Sequence, residues 1–433
     1  MQRYHGLDFL RAAMMLMGNI LHVGVCYMPF PHGDDAAAIM ADFKNPYRDI
    51  ESFSNLSWRL VLFIHFFRMP AFMLLAGFFA ALVTSRRGSL NFLGNRLKRI
   101  VLPAILFWFI LWPLDSYSWT LGQSVMMDTN ETKSVVEHAT SNLSVSHIPF
   151  MEDVTLHTMH LWFLYYLIMF YGFTMCLLFV VRKIRPDLPA KTIEARDSAL
   201  TSRWKYGLLP MLILLTWVTL KVGSDWHFLA CFRFEPSLIT FAQHYVFFAV
   251  GWLFYGADGV LRHLKHRAWT YTFLGLINSV LLTLTFEEYA SYYMASSLDA
   301  AEKLRMDVFL GVTQVLQASC VWLMIFGFVG LSERYITKST GWCTYLVGAS
   351  YWLYLVHRPF CTGIAALLEQ TQWSGGVKTV FVSIVVAAIC LVSYHFLVRN
   401  TWVGVMLNGR RARDLSKGSA TAEPSNTPNP SSA

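Results

Sequence analysis

The stretch WRLVLFIHFFRMPAFMLLAGFFAALVT, residues 58–84, decides the fold class. From Trp58 to Thr84 only Arg59 and Arg68 are charged, and the apolar run is longer than the about 20 residues that cross a hydrocarbon core as a helix. Working outward, nine further stretches have the same character: roughly 7–28, 100–118, 158–181, 206–222, 237–256, 269–286, 306–331, 342–368 and 377–398. They are long and continuous, where barrel strands would be ten-residue alternations, so they read as helices. The whole chain agrees. Of its 433 residues 55% are hydrophobic and 14% charged, with a mean hydropathy of +0.42. Soluble domains carry roughly 25% charged residues. The 15 Trp and 19 Tyr suit interfacial belts.

The expected architecture is all-α: a polytopic transmembrane helix bundle of about ten spans. Charge in the links orients it. Residues 1–6, 85–100, 182–205, 257–268, 332–341 and 399–417 hold 23 Lys/Arg against 6 Asp/Glu, whereas 28–57, 118–157, 223–236, 287–305 and 369–378 hold 7 against 17. The basic set faces the cytoplasm by the positive-inside rule, which makes both termini cytoplasmic. One transmembrane domain is expected over 1–400. The Pro/Ser/Thr-rich tail, 409–433, cannot bury apolar surface and reads as a disordered cytoplasmic segment. The link 118–157 is the longest outer excursion.

The net charge of +8 lies in short runs between apolar stretches, so no nucleic-acid partner is expected; the partner is the lipid bilayer. Seven scattered Cys include no C-x-x-C and read as small hydrophobes. Asp8 and Arg11 interrupt the first apolar run, which reads as a retained span, not a cleaved signal. There is no phosphate-binding loop, no nucleophile elbow and no metal-ligand cluster.

Ionisable groups inside spans cost at least ~2.5–3.5 kcal/mol on insertion scales and are functional candidates by default. In the first span Arg11 and His22 are about three turns apart on one face, ~16 Å along the axis. They offer a cation for an anionic donor and an acid/base group, or a snorkelling Arg and a hydrogen-bonded core His. In the second span His65 and Arg68 share a face, Pro70 loosens the backbone and Gly77 permits close helix contact. Arg68 is a functional cation or half of an ion pair with Asp8 or Asp115. Arg96 and Arg99, at i and i+3, suit phosphate groups, although topology alone demands basic residues there. His160 and Trp162, at the outer face, could touch an outer acceptor or form the interfacial belt, and the belt is the favoured reading. In SYWLYLVHRP, His357 lies at the depth of His22, with Tyr351 and Tyr354 on neighbouring faces. His244 and His395 read as hydrogen-bonded core histidines.

Taken together, Arg11-x10-His22, FRMPAFMLLAGFF, the Arg96-x2-Arg99 pair followed by Pro103, and SYWLYLVH resemble the membrane-bound acyltransferase 3 family, over about residues 4–400. HFFRMPAF, HLWFLYYL and YLVHRP look most like its branch around glucans biosynthesis protein C. Where many members carry an acidic residue before the apolar run of the second helix, this chain has RMPAF. The resemblance implies a ten-helix bundle in a bacterial inner membrane. It implies transfer of an acyl group, such as succinyl or acetyl, from cytoplasmic acyl-CoA to a hydroxyl of an extracytoplasmic carbohydrate, with no permanently bound cofactor. It implies the catalytic histidine role for His22 and essential basic positions for Arg11, Arg96 and Arg99. His65, Arg68, Tyr354 and His357 match the branch's pattern as substrate-binding positions.

A transporter or flippase for a glycan or lipid-linked substrate is the second reading. It calls for paired broken helices and an internal repeat, and neither is visible. A non-catalytic scaffold leaves the cost of burying Arg68 and His22 unexplained.

Overall fold

The computed structural model describes residues 4–28, 49, 52–127, 137, 140, 158–201, 205–228, 230–293, 295, 297–338 and 340–409. Among them the secondary structure is helical. In chain order the helices are α1 (His5–Val25), α2 (Asn55–Arg87), α3 (Ser89–Arg96), a π turn (Leu97–Val101), α4 (Leu102–Met127), a 3-10 turn (Met159–Leu161), α5 (Trp162–Ile184), α6 (Leu188–Thr201) and α7 (Lys205–Gly223). They continue with α8 (Leu238–Phe254), α9 (Asp258–His266), α10 (Ala268–Tyr293), α11 (Ala300–Tyr335), α12 (Gly341–Leu367), α13 (Gly375–Ser393), a second π turn (Tyr394–Val398) and α14 (Trp402–Asn408).

Each of the ten apolar stretches coincides with a helix, but they are not equally apolar. Among the described residues six helical segments are long and apolar enough to cross a membrane: 55–87, 89–122, 159–184, 268–293, 300–335 and 375–398. A seventh is counted if α8 and α9, bent by 105° at their junction, form one broken span. Length and composition alone thus mark six or seven spans among the described residues and do not by themselves confirm the expected ten. Helices α1 and α12 have the length, 21 and 27 residues. They also carry polar groups, Asp8, Arg11, Asn19 and His22 on α1, and His357 and Arg358 on α12.

α1 is the hub. It packs against α2, α11, α12 and α13, so its polar face meets protein on most sides. α2 crosses α8 with the two backbones almost touching: a Cβ on Gly77 would run into the carbonyl of Phe248, and one on Gly251 into that of Leu74. This reciprocal pair is the close contact that Gly77 predicts. α10 and α11 pair along their length. At the centre Trp322 of α11 is fully buried, and its indole N–H donates to Thr216 Oγ1 of α7 at 2.8 Å, so the large ring brings no unsatisfied donor inside.

Two internal prolines are wired in the same way. Proline has no N–H for the carbonyl four residues earlier. In α2, Pro70 leaves the carbonyl of Phe66, which takes the Nε2 hydrogen of buried Gln317 at 2.8 Å. In α12, Pro359 leaves the carbonyl of Leu355, which lies 3.0 Å from His160 Nε2. Each weakened helix is thereby tied to a neighbour at a chosen depth.

Several expectations are corrected. α4 runs on to Met127, ten residues into the segment 118–157 read as an outer link, because 118–127 contains no proline and the helix tolerates Gly122; most of 128–157 lies outside the described residues. The link 182–205 contains α6. His395 is exposed in the second π turn, beside Tyr345 and Phe396, and is not a core histidine. Lys378, read as part of an outer link, is fully buried in the first turn of α13 and bonds Asp49 Oδ2 at 2.6 Å, Ser52 Oγ at 2.8 Å and the Glu369 carbonyl at 3.2 Å. The tail 410–433 lies outside the described residues.

Candidate functional site

α1 presents Gly18 and His22 one turn apart on the same face. Gly18 is where the guanidinium of Arg68, from α2, comes against α1: a Cβ there would collide with its Nη1. Arg68 thus lies about one helical turn from His22, and the absence of a side chain at Gly18 is what admits it. On the opposite side, α12 brings His357. Its ring centroid is 5.1 Å from that of His22, at an interplanar angle of 52°. His160, from the 3-10 turn before α5, stands 5.5 Å from His357 at 83°. Tyr354, one turn before His357, donates its hydroxyl to the carbonyl of His160 at 2.7 Å. His160, Tyr354 and His357 are buried, while His22, His65 and Arg68 keep some accessible surface. Groups with accessible surface beside buried ones form the lining of an enclosed site.

Arg68 is the electrostatic anomaly. Two carboxylates were candidate partners, and neither serves. Asp115 of α4 pairs with Arg358, whose guanidinium also lies over Trp119 at 5.6 Å. Asp8 pairs with Arg11 at 3.7 Å. Among the described residues Arg68 forms no ion pair, and its Nε is buried without a hydrogen-bond partner. Its titratable neighbours are His22, His65, His357 and Tyr354, each in electrostatic reach. Desolvating an ion costs several kcal/mol even after relaxation. A guanidinium left in this state between three imidazoles is arranged to receive an anionic or strongly polarised group. Arg358 is already compensated, which leaves Arg68 as the buried guanidinium without an ion pair here among the described residues.

The expected residues divide into three groups. His22, Arg68, Tyr354 and His357 converge as described. His65 turns the other way, 5.3 Å from His227, with His244 in electrostatic reach of both. His244 is fully buried against Trp162 and Phe228, as a core histidine should be. The third group lies toward the N-terminal end of α1. Arg11 sits 5.7 Å over Phe79, and Arg96 lies over Phe92 at 5.0 Å and Tyr171 at 5.3 Å. Tyr171 is in electrostatic reach of both arginines, and Tyr351 of Arg96. Arg99 parts company with Arg96. The π turn begins between them and winds more residues per turn than an α-helix. Arg99 therefore packs against Gly409 after α14 while Arg96 faces the rings of Phe92 and Tyr171. An i, i+3 pair shares a face only while the helix stays α.

Three participants had no sequence signal strong enough to single them out. His160 was read as belt, but its bond to the Leu355 carbonyl takes it inside. Pro359 announced that a carbonyl needed a donor without saying which residue would come. His227 sits in the short link before α8, where nothing marks it beyond the adjacent Trp226. Asn19, three residues before His22, donates to the Ser383 carbonyl at 2.8 Å and accepts from Cys361 Sγ at 3.5 Å, holding α1 to α13 and α12 beside the site.

A family model described as an acyltransferase domain (acyltransferase 3) matches residues 4–395, nearly the whole chain. No curated protein and no solved structure matches.

Proposed function

The chain belongs to the acyltransferase 3 family, and on that premise we propose that it moves an acyl group from cytoplasmic acyl-CoA to a hydroxyl of an extracytoplasmic glycan. The observation that carries the proposal is the meeting of His22 with His357 and the uncompensated Arg68 in the middle of the bundle. Acyl transfer needs a group to take a proton from the attacking hydroxyl and a cation for the oxygen that gains charge.

In this mechanism the coenzyme's phosphates bind Arg11 and Arg96, with Arg99 at the rim. The pantetheine arm runs along α1 over the ~16 Å between Arg11 and His22. His22 takes the hydroxyl proton as the sugar oxygen attacks the thioester carbon. The carbonyl electrons move onto oxygen beside Arg68. When they return, the C–S bond breaks, and the thiolate takes the proton from His22. Ester and free thiol form with no net proton change. Direct attack is the simplest form; a transient acyl-His22 is the two-step version. His65 belongs to the wall behind Arg68.

The finer reading is ten crossings of a bacterial inner membrane with both termini cytoplasmic. It continues with a donor such as succinyl- or acetyl-CoA and a periplasmic glucan as acceptor, as in the branch around glucans biosynthesis protein C. The charge asymmetry of the links and the motifs HFFRMPAF, HLWFLYYL and YLVHRP support it.

The test is to incubate purified protein in lipid nanodiscs with labelled succinyl-CoA or acetyl-CoA and gluco-oligosaccharides. Mass spectrometry of cell-envelope glycans with and without the protein accompanies it. The expected result is ester-linked label on sugar with one thiol released per acyl group. Passage of glycan or lipid-linked sugar across vesicles with no thioester consumed would overturn it in favour of a transporter.

A further inference from the structure

Two hydrogen-bond acceptors are locked in place beside His22 with nothing to accept. The lock on the first is the orphan carbonyl of Leu355. His160 Nε2 lies 3.0 Å from it, and a carbonyl oxygen only accepts, so that nitrogen carries the hydrogen. In the neutral ring the lone pair is then on Nδ1. This atom is buried and has no hydrogen-bond partner among the described residues. The Tyr354 hydroxyl holds the backbone of His160 from the other side, at 2.7 Å.

His357 is locked in the opposite tautomer. Its Nδ1 is 2.9 Å from the Tyr354 carbonyl and 3.0 Å from the Leu353 carbonyl. The hydrogen is therefore on Nδ1 and the lone pair on Nε2. That atom too is buried and unpartnered among the described residues. The two rings are only 5% and 3% exposed, so each unsatisfied acceptor bears the desolvation penalty of a buried polar group. Two such acceptors side by side at the reacting centre call for a donor that comes with a ligand.

The ligand must bring hydrogen-bond donors. At its reacting end a thioester has none, since its oxygen and sulfur only accept. Nearby side chains do not substitute: Arg358 is held by Asp115, and Arg68 lies against Gly18. A polyhydroxylated acceptor does bring donors. We infer that His160 Nδ1 and His357 Nε2 form the acceptor subsite, each taking the hydrogen of one sugar hydroxyl, so that a third hydroxyl is presented to His22. This inference rests on the acyl-transfer reading above and assigns His160, together with His357, to the sugar rather than to the donor or to packing.

A purely structural role makes a different prediction. If His160 only caps the Leu355 carbonyl, a glutamine serves as well, because its amide N–H reaches the same oxygen. If His357 only fills space, leucine serves. The experiment measures donor and acceptor KM separately, with full-length protein in nanodiscs, succinyl- or acetyl-CoA as donor and gluco-oligosaccharide as acceptor. For His160→Gln and His357→Leu, acceptor KM should rise roughly tenfold or more, the value of one buried hydrogen bond. Donor KM should stay within twofold. His357→Gln, which returns an acceptor oxygen near the Nε2 position, should recover most of the loss. Acceptor KM within twofold of the parent in both variants, or equal increases for donor and acceptor, would overturn the assignment. A parent protein that consumes no thioester would instead defeat the acyl-transfer reading, with the subsite falling as its consequence.

Discussion

The imidazoles of His22 and His357 stand 5.1 Å apart, one from α1 and one from α12, although they are 335 positions apart in the chain. Neither helix is among the six that are apolar enough to cross a membrane by themselves. Their polar faces are tolerable because they meet each other and α2, not lipid. The pair therefore defines both the site and the reason the two helices lie at its heart.

His22→Ala should abolish transfer by at least ~100-fold, the low end for loss of a general base. The variant should still insert and elute as the parent does in size-exclusion chromatography. Retained transfer removes His22 from the mechanism.

Arg68→Met separates function from stability by sign. Loss of a cation aimed at a developing oxyanion should lower kcat roughly 100- to 1,000-fold. The same change removes a desolvated charge with no counter-ion among the described residues, so thermal stability should hold or rise. A large fall in melting temperature would mean that Arg68 has a structural partner.

Gly18→Ala tests the packing that seats Arg68. The added methyl meets the mobile end of the guanidinium, not backbone. Displacing that group by about 1 Å can cost up to ~100-fold in rate, with little loss of melting temperature. In an Arg68→Met background the same alanine should have almost no further effect, because the two changes act through one contact. Additive losses would contradict this.

Lys378→Met should cost about 3–5 kcal/mol, because it strands the Asp49 carboxylate, only 1% exposed, without its cation. The double variant with Asp49→Leu should regain most of that, since neither charge is then left buried. Chemical denaturation in detergent reads both. A single variant as stable as the parent would show that the pair is not shielded from water.

His227 predicts a pH dependence. Burial first, then the nearby His65 and His244 rings, pushes it down to about 3 from the ordinary 6.5. The Asp225 carboxylate, 3.6 Å away, is too far for a good hydrogen bond and does not reverse this. Burial also raises the Asp225 carboxyl itself. The unfolded chain therefore binds this proton below about pH 6.5 and the folded chain only near pH 3. The contribution is full above the higher value and is lost as pH falls between the two. His227→Gln should flatten the decline in melting temperature between about pH 7 and pH 4.5. An unchanged slope would mean that the folded ring already binds protons in that range.

Helix positions were legible from apolar run length, and the alignment of Arg11 with His22 from 3.6-residue winding, because both properties are local to one helix. The candidate roles of Arg68 and His357 followed from the cost of placing charge or polarity inside a span. Local winding also misled where it changed: the π turn after Arg96 separated a pair that α-helical spacing had joined. Which cation Asp115 would neutralise, that His160 would turn inward, and that Arg68 would be left without an ion pair among the described residues were decided only when helices distant in sequence came into contact. Hydropathy is a property of each residue and winding a property of each helix. Pairing depends on which faces meet across the bundle, and that is settled by packing and by which helix reaches an orphan carbonyl first.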